Sequence, residues 1–143
     1  MSDLPPRLAE LVEDFSGVGV KDRLQLLLEL SGELPALPSK YDGHRDDMEQ
    51  VHECQTPLFL AVEVDEAKTV HLFFDAPPEA PTTRGFASIM YTGLDGESTD
   101  TVLDVPNDFY LKLGLGEAVS PLRLRGMAAM LSRIKKQVRS AAS

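Results

Sequence analysis

A single cysteine, Cys54, is the residue of this chain best suited to chemistry. It sits in the run Val51-His52-Glu53-Cys54-Gln55-Thr56-Pro57, after a polar stretch and just before an alternating apolar one. A thiol reacts as its thiolate, so a working cysteine needs something nearby that lowers its pKa from about 8.5. His52 would share a face with Cys54 if the segment were a strand, and could then serve as an electrostatic helper. The bland alternatives are a buried cysteine acting as a small hydrophobe and an ordinary solvated histidine. The polar neighbours of Cys54 speak against burial in a core.

Other chemistries lack their parts. One cysteine can form no internal disulfide and supplies no multi-thiolate zinc or iron–sulfur site. His44, His52 and His71 do not fall at the i, i+4 spacing of a helical metal pair. A Cys–His hydrolase would also need an oxyanion hole and a group to orient the histidine, and neither leaves a signature. No Gly-x-Ser-x-Gly elbow occurs, and Gly17-Val18-Gly19 lacks the third glycine and the preceding strand of a phosphate loop. The scattered carboxylates suit a solvated acidic surface better than paired acid–base work.

Charge narrows the partners. With 23 acidic residues against 14 basic ones the formal net charge is −9, a field that repels a phosphate backbone, so nucleic acid is not expected. The basic residues Arg123, Arg125, Arg133, Lys135, Lys136 and Arg139 cluster near the C-terminus, where several suit the last turns of a helix; an acidic partner surface is the other reading. No apolar run approaches the roughly 20 residues of a membrane-spanning helix, and the N-terminus does not read as a secretory signal, so a cytoplasmic protein with no membrane partner is expected.

The elements that must hold Cys54 are legible in the periodicity. The 143 residues, 43% hydrophobic and 26% charged, suffice for one domain spanning 1–143 with its own core. Pro5–Phe15 places Leu8, Leu11, Val12 and Phe15 on one helical face. A second helix carries Leu24, Leu27, Leu28 and Leu34 and ends before Pro35, pairing with the first as a hairpin around a shared seam. Pro35–Glu53 reads as an exposed polar loop. Leu58, Leu60, Val62 and Val64, then Val70, Leu72 and Phe74, alternate as a β-hairpin around Glu66-Ala67-Lys68, with a third short strand around Met48–His52 left open. Pro77-Pro78-Glu79-Ala80-Pro81 cannot join a ladder. Helical patterning returns at Phe86, Ile89, Met90 and Leu94, with short helices expected at Thr99–Leu103 and Asp108–Leu113. A final long helix is capped by Ser120 and opened by Pro121, with Leu124, Met127, Leu131, Ile134 and Val138 as its stripe. This order is α+β: a small antiparallel sheet of two or three strands packed against helices.

Four motifs in register resemble the SufE family of cysteine desulfuration proteins. Val51-His52-Glu53-Cys54-Gln55-Thr56-Pro57-Leu58-Phe59 is similar to the family's Val/Ile-x-Gly-Cys-Gln-Ser-x-Val-Trp. Glu33-Leu34-Pro35-Ala36-Leu37 resembles its Leu-Pro-x-Leu step, and Arg84-Gly85-Phe86 the Lys/Arg-Gly-Leu that opens the helix after the hairpin. Leu113-Gly114-Leu115 with Ser120-Pro121-Leu122-Arg123-Leu124-Arg125-Gly126-Met127 resembles the Ser/Thr-Pro-Ser-Arg-x-x-Gly-Leu entry to the last helix. The chain departs from the pattern at Glu53, which replaces glycine and sets a carboxylate beside the thiol, at Thr56 and Phe59, and at Pro77-Pro78-Glu79.

The resemblance implies a SufE/IscU-like fold and a sulfur carrier more than an enzyme. It makes Cys54 the acceptor of persulfide sulfur from a pyridoxal-phosphate cysteine desulfurase (SufS-like), whose activity the carrier stimulates, and an iron–sulfur cluster scaffold the recipient. The pyridoxal phosphate belongs to the desulfurase, so no cofactor is expected here. Arg123 and, less directly, Arg84 would contact the thiolate or the desulfurase, and Gln55 would cap the cysteine loop; the plain alternative for each is a solvated side chain. A persulfide is easily lost, so a shielded and an exposed position of Cys54 are expected, with the polar loop from Pro38 to Glu53 permitting the swing. A protein-interaction module without sulfur carriage and a Cys-His thiol hydrolase are the rival readings.

Overall fold

The structure is a computed structural model that describes residues 4–54 and 56–142. Its helices are α1 (Pro6–Ser16), α2 (Val20–Ser31), α3 (Pro81–Leu94), α4 (Thr99–Asp104) and α5 (Pro121–Ala142), and its strands β1 (Glu49–Gln50), β2 (Phe59–Val64) and β3 (Val70–Asp75). The sheet is antiparallel in the order β1-β2-β3, with Glu49 opposite Leu60 and Phe59 opposite Asp75. The third strand left open at Met48–His52 is therefore real, but only two residues long.

Alternation does what the period-two pattern requires. Leu58, Leu60, Val70, Leu72 and Phe74 are buried on one face of the hairpin. The other face is covered by the preceding loop. The Tyr41 ring packs on Phe73 at 4.9 Å between centroids while its hydroxyl donates to Glu63 at 2.7 Å, and Arg45 lies over Phe59 and donates to Asp75 at 2.8 Å. The stretch expected to be an exposed loop is thus pinned across the sheet as far as Arg45, because its aromatic and charged side chains find partners on β2 and β3.

α3 is the hub, and this corrects the expected α1–α2 hairpin. Both N-terminal helices pack chiefly on α3 and only lightly on each other. α3 buries Phe86, Ala87, Ile89, Met90 and Leu94 together with Thr83 and Ser88, so it is apolar around most of its circumference. Two glycines allow the approach. A Cβ on Gly85 would stand 2.6 Å from the Leu27 carbonyl oxygen, and one on Gly93 2.7 Å from a Leu8 methyl. α2 also ends at Ser31, earlier than the apolar spacing suggested. Leu34 is buried from outside the helix, while Leu24 and Leu28 stay 37% exposed. A buried leucine beyond a helix end mimics one more turn of the same stripe.

The expected helix at Asp108–Leu113 is a 3-10 segment, Phe109–Leu113, that buries its two end residues. α5 follows the pattern: Ser120 Oγ accepts the Arg123 N–H at 3.3 Å, and Leu124, Met127, Leu131, Ile134 and Val138 are all buried. Among the described residues no helix is long and apolar enough to cross a membrane.

Candidate functional site

The cysteine segment is a short excursion at the end of the sheet. Val51 is fully buried and its N–H donates to the Leu58 carbonyl at 2.8 Å, which closes the chain between these two anchors. Between them, His52–Cys54 form one 3-10 turn, with the Cys54 N–H donating to the Val51 carbonyl at 3.2 Å. Thr56 and the buried Thr83 share a hydroxyl hydrogen bond of 3.2 Å that ties the descending limb to the first turn of α3.

α5 forms the floor. The Cys54 thiol donates to the Gly126 carbonyl with sulfur and oxygen 3.7 Å apart. A Cβ at position 126 would stand 3.1 Å from that sulfur and 3.2 Å from the Cys54 Cα, so with any other residue here the turn would have to give by a few tenths of an ångström. The thiol opens on a groove of about 350 Å3 whose lining also includes Thr56, Ser120, Leu122 and Arg123. Seated in this way, Cys54 is a poor nucleophile. Burial, and then the carboxylate of Glu53, push the thiol up to about 12, while Arg133 pulls weakly the other way.

Arg133 completes the site. Its guanidinium donates to Glu49 Oε2 at 2.5 Å and to Glu53 Oε1 at 2.7 Å. Gln137, one turn on, donates to the other Glu49 oxygen at 2.8 Å and accepts the Val62 N–H at 3.1 Å, capping the edge of β2 past the end of β1. The hydrogen bond from Arg133 holds the Glu53 carboxyl below its ordinary range. At Glu49 burial raises the carboxyl, but the bonds from Gln137 and Arg133 outweigh it and leave the carboxyl lowered. Glu53 therefore presents the thiol with an ion pair, not with a bare negative charge.

The residues singled out by sequence fare unequally. Cys54 and Arg123 line the same groove, with Arg123 exposed and its side chain joined to no partner among the described residues. His52 is exposed, and in a 3-10 turn of three residues per turn it diverges from Cys54; the strand that would have put both on one face is not formed. Among the described residues no hydrogen bond joins His52 to Cys54, so the dyad of a Cys–His hydrolase is not assembled. Arg84 serves the scaffold, donating to the carbonyls of Ser31 at 3.3 Å and Ala76 at 2.6 Å, and so staples the end of α2 to the exit of β3. Gln55 lies outside the described residues. Arg133 is read from sequence only as one member of the C-terminal basic cluster, and Glu49 is not singled out. Their signal was there: Arg133 stands seven residues after Gly126, hence on the same helical face, and faces a run with two glutamates. Of the basic cluster, Lys135 is buried and bonded to Asn107 at 2.8 Å and to the Val105 carbonyl, leaving Arg139 as the cation of the last turn.

Comparison with known proteins places this geometry. A family model described as SufE, an Fe-S metabolism associated domain, matches residues 9–138. An uncharacterised SufE-like protein of Mycobacterium tuberculosis is 55% identical over 140 residues, covering 98% of this chain and 96% of that protein. The cysteine desulfuration protein SufE of Plasmodium falciparum is 24% identical over 137 residues, 93% of this chain and 54% of that one. The solution structure of a hypothetical protein from Thermus thermophilus superposes with a TM-score of 0.85 at 42% identity, covering 97% of this chain and 98% of that one.

Proposed function

The chain belongs to the SufE family, and we propose that it carries sulfur through Cys54 from a cysteine desulfurase to an iron–sulfur cluster scaffold. The family gives a sulfur-transfer role in iron–sulfur metabolism; the acceptor atom, the stimulation of the desulfurase and the recipient scaffold are our reading. The observation that carries it is the seat of Cys54: the thiol opens on a groove beside Arg123, on a turn held between two buried anchors.

The step is a thiol exchange at sulfur. The Cys54 thiolate attacks the outer sulfur of the desulfurase's cysteine persulfide, a new S–S bond forms on Cys54, and the old one breaks with its electron pair leaving on the desulfurase thiolate. No net oxidation or reduction occurs. Pyridoxal phosphate remains with the desulfurase. A thiol with a pKa of about 12 is ionised to only about one part in 10⁵ at pH 7, so attack requires Cys54 to leave its seat for solvent. The seat then shields the bound sulfur. The low reactivity of the seated thiol also favours a second reading, an interaction module on the same fold that stimulates a desulfurase without carrying sulfur.

Intact mass after incubation with an active cysteine desulfurase and free cysteine separates the two. A product heavier by one sulfur atom, absent from Cys54→Ser, is expected. An unchanged mass, with desulfurase stimulation surviving in Cys54→Ser, would establish the interaction module instead.

A further inference from the structure

We propose that Arg133 is a positioning residue for the thiol: through Glu53 it keeps Cys54 seated on Gly126, and its release from Glu53 lets the turn swing out. The inference rests on the carrier reading for its purpose, but its geometry stands alone.

The loop before β1 is pinned on the outer face of the sheet at Tyr41 and Arg45, Glu49 is gripped by α5, and Val51 and Leu58 are buried anchors, so among the described residues the part left to move is His52–Cys54 with Thr56 and Pro57. Among the described residues three side-chain ties hold that excursion to the body: the Glu53–Arg133 pair, the long thiol bond to Gly126 and the Thr56–Thr83 bond. Only the first joins opposite charges. It is adjacent to Cys54 and half open to water, with the Glu53 side chain 47% and the Arg133 side chain 22% exposed. A charged group on a docking partner can therefore compete for it. The thiol bond, at 3.7 Å and with sulfur as donor, is weak. Arg133 would keep one carboxylate if it released Glu53, since Glu49 stays fixed by Gln137. Its Nε is buried without a partner among the described residues, so the present grip leaves one donor of the guanidinium unsatisfied.

Alkylation of Cys54 by iodoacetamide at pH 8 tests this without any desulfurase. Arg133 favours the thiolate through space, so a purely electrostatic role makes Arg133→Met slower than wild type. A positioning role makes it faster, by about fivefold, the population shift that one exposed ion pair can supply. Arg133→Lys keeps the charge but loses the two-pronged grip; it should label about twofold faster, and it serves should Arg133→Met fail to fold. Glu53→Gln combined with Arg133→Met should label no faster than the faster single variant, because the two changes break one contact. Urea midpoints measured beside the rates subtract labelling through global unfolding. Slower or unchanged labelling in Arg133→Met, or an unchanged rate in Arg133→Lys, would overturn the proposal. Variants that label as expected, beside a wild type that never gains sulfur, would sink the carrier reading and leave the positioning role standing.

Discussion

Cys54 combines two demands that oppose each other in one residue. A transferred sulfur must be shielded, while the attacking thiol must ionise, and a single environment cannot do both. The seat on Gly126 does the first at the expense of the second. Its signature is a pH dependence. The folded state binds the thiol proton more tightly than the unfolded chain, so the proton's contribution is intact below the unfolded value near 8.5 and is lost as pH rises toward about 12. The unfolding free energy of the wild type, read from urea denaturation, should therefore fall between pH 9 and pH 10, by at most about 1.4 kcal/mol per unit, and the fall should flatten in Cys54→Ala. Tyr41, also raised to about 12 by burial and by Glu63, adds its own slope only above pH 10. A slope that survives in Cys54→Ala would place the titrating group elsewhere.

At the scale of elements, the approach of α1 and α2 to α3 depends on the absence of two side chains. Leu27 and Leu8 occupy the space where Cβ atoms of residues 85 and 93 would lie. At Gly85 the obstacle is a backbone carbonyl, which cannot rotate aside, so Gly85→Ala should destabilise the fold by about 1–3 kcal/mol, read as a drop in the urea midpoint. Arg84 tightens the same junction through the Ser31 carbonyl, and loss of that staple should come with it. The thiol labelling rate after subtraction of global unfolding should be unchanged, because the cysteine turn leans on α5 and on the rim of α3 at Thr83, not on the α2 side. Faster labelling would show that the α2–α3 junction does reach the turn.

For the whole molecule, the core and the site differ in how they are held. α3 touches α1, α2, β3 and α5, so its amides should exchange only when most of the core opens. The 3-10 turn at His52–Cys54 contributes no fully buried side chain and is held by polar ties. Hydrogen exchange on the full chain should show the Cys54 amide at least about 100-fold less protected than those of Ala87–Met90. Equal protection would make the turn part of the core and remove the swing on which the carrier reading depends.

What the sequence determined alone was whatever periodicity and local chemistry encode. Alternation and helical spacing located β2, β3, α3 and α5 because burial of one face writes a period into the chain. A lone thiol among polar residues marked Cys54 as the candidate for chemistry, and four motifs in register led to the SufE family and, through that resemblance, to the acceptor role proposed here. Tertiary structure decided what depends on residues distant in the chain. Leu34 looked like helix because burial records only that a residue is inside, and not which element carries it. Glu53 does raise the thiol, as its place in the sequence suggests, but the partner that tempers its charge, Arg133, lies 80 residues further on. Gly126 looked like a motif letter until the Cys54 sulfur was found resting on it. Charge pairing and close approach are properties of positions in space, and a sequence lists the groups without saying which of them meet.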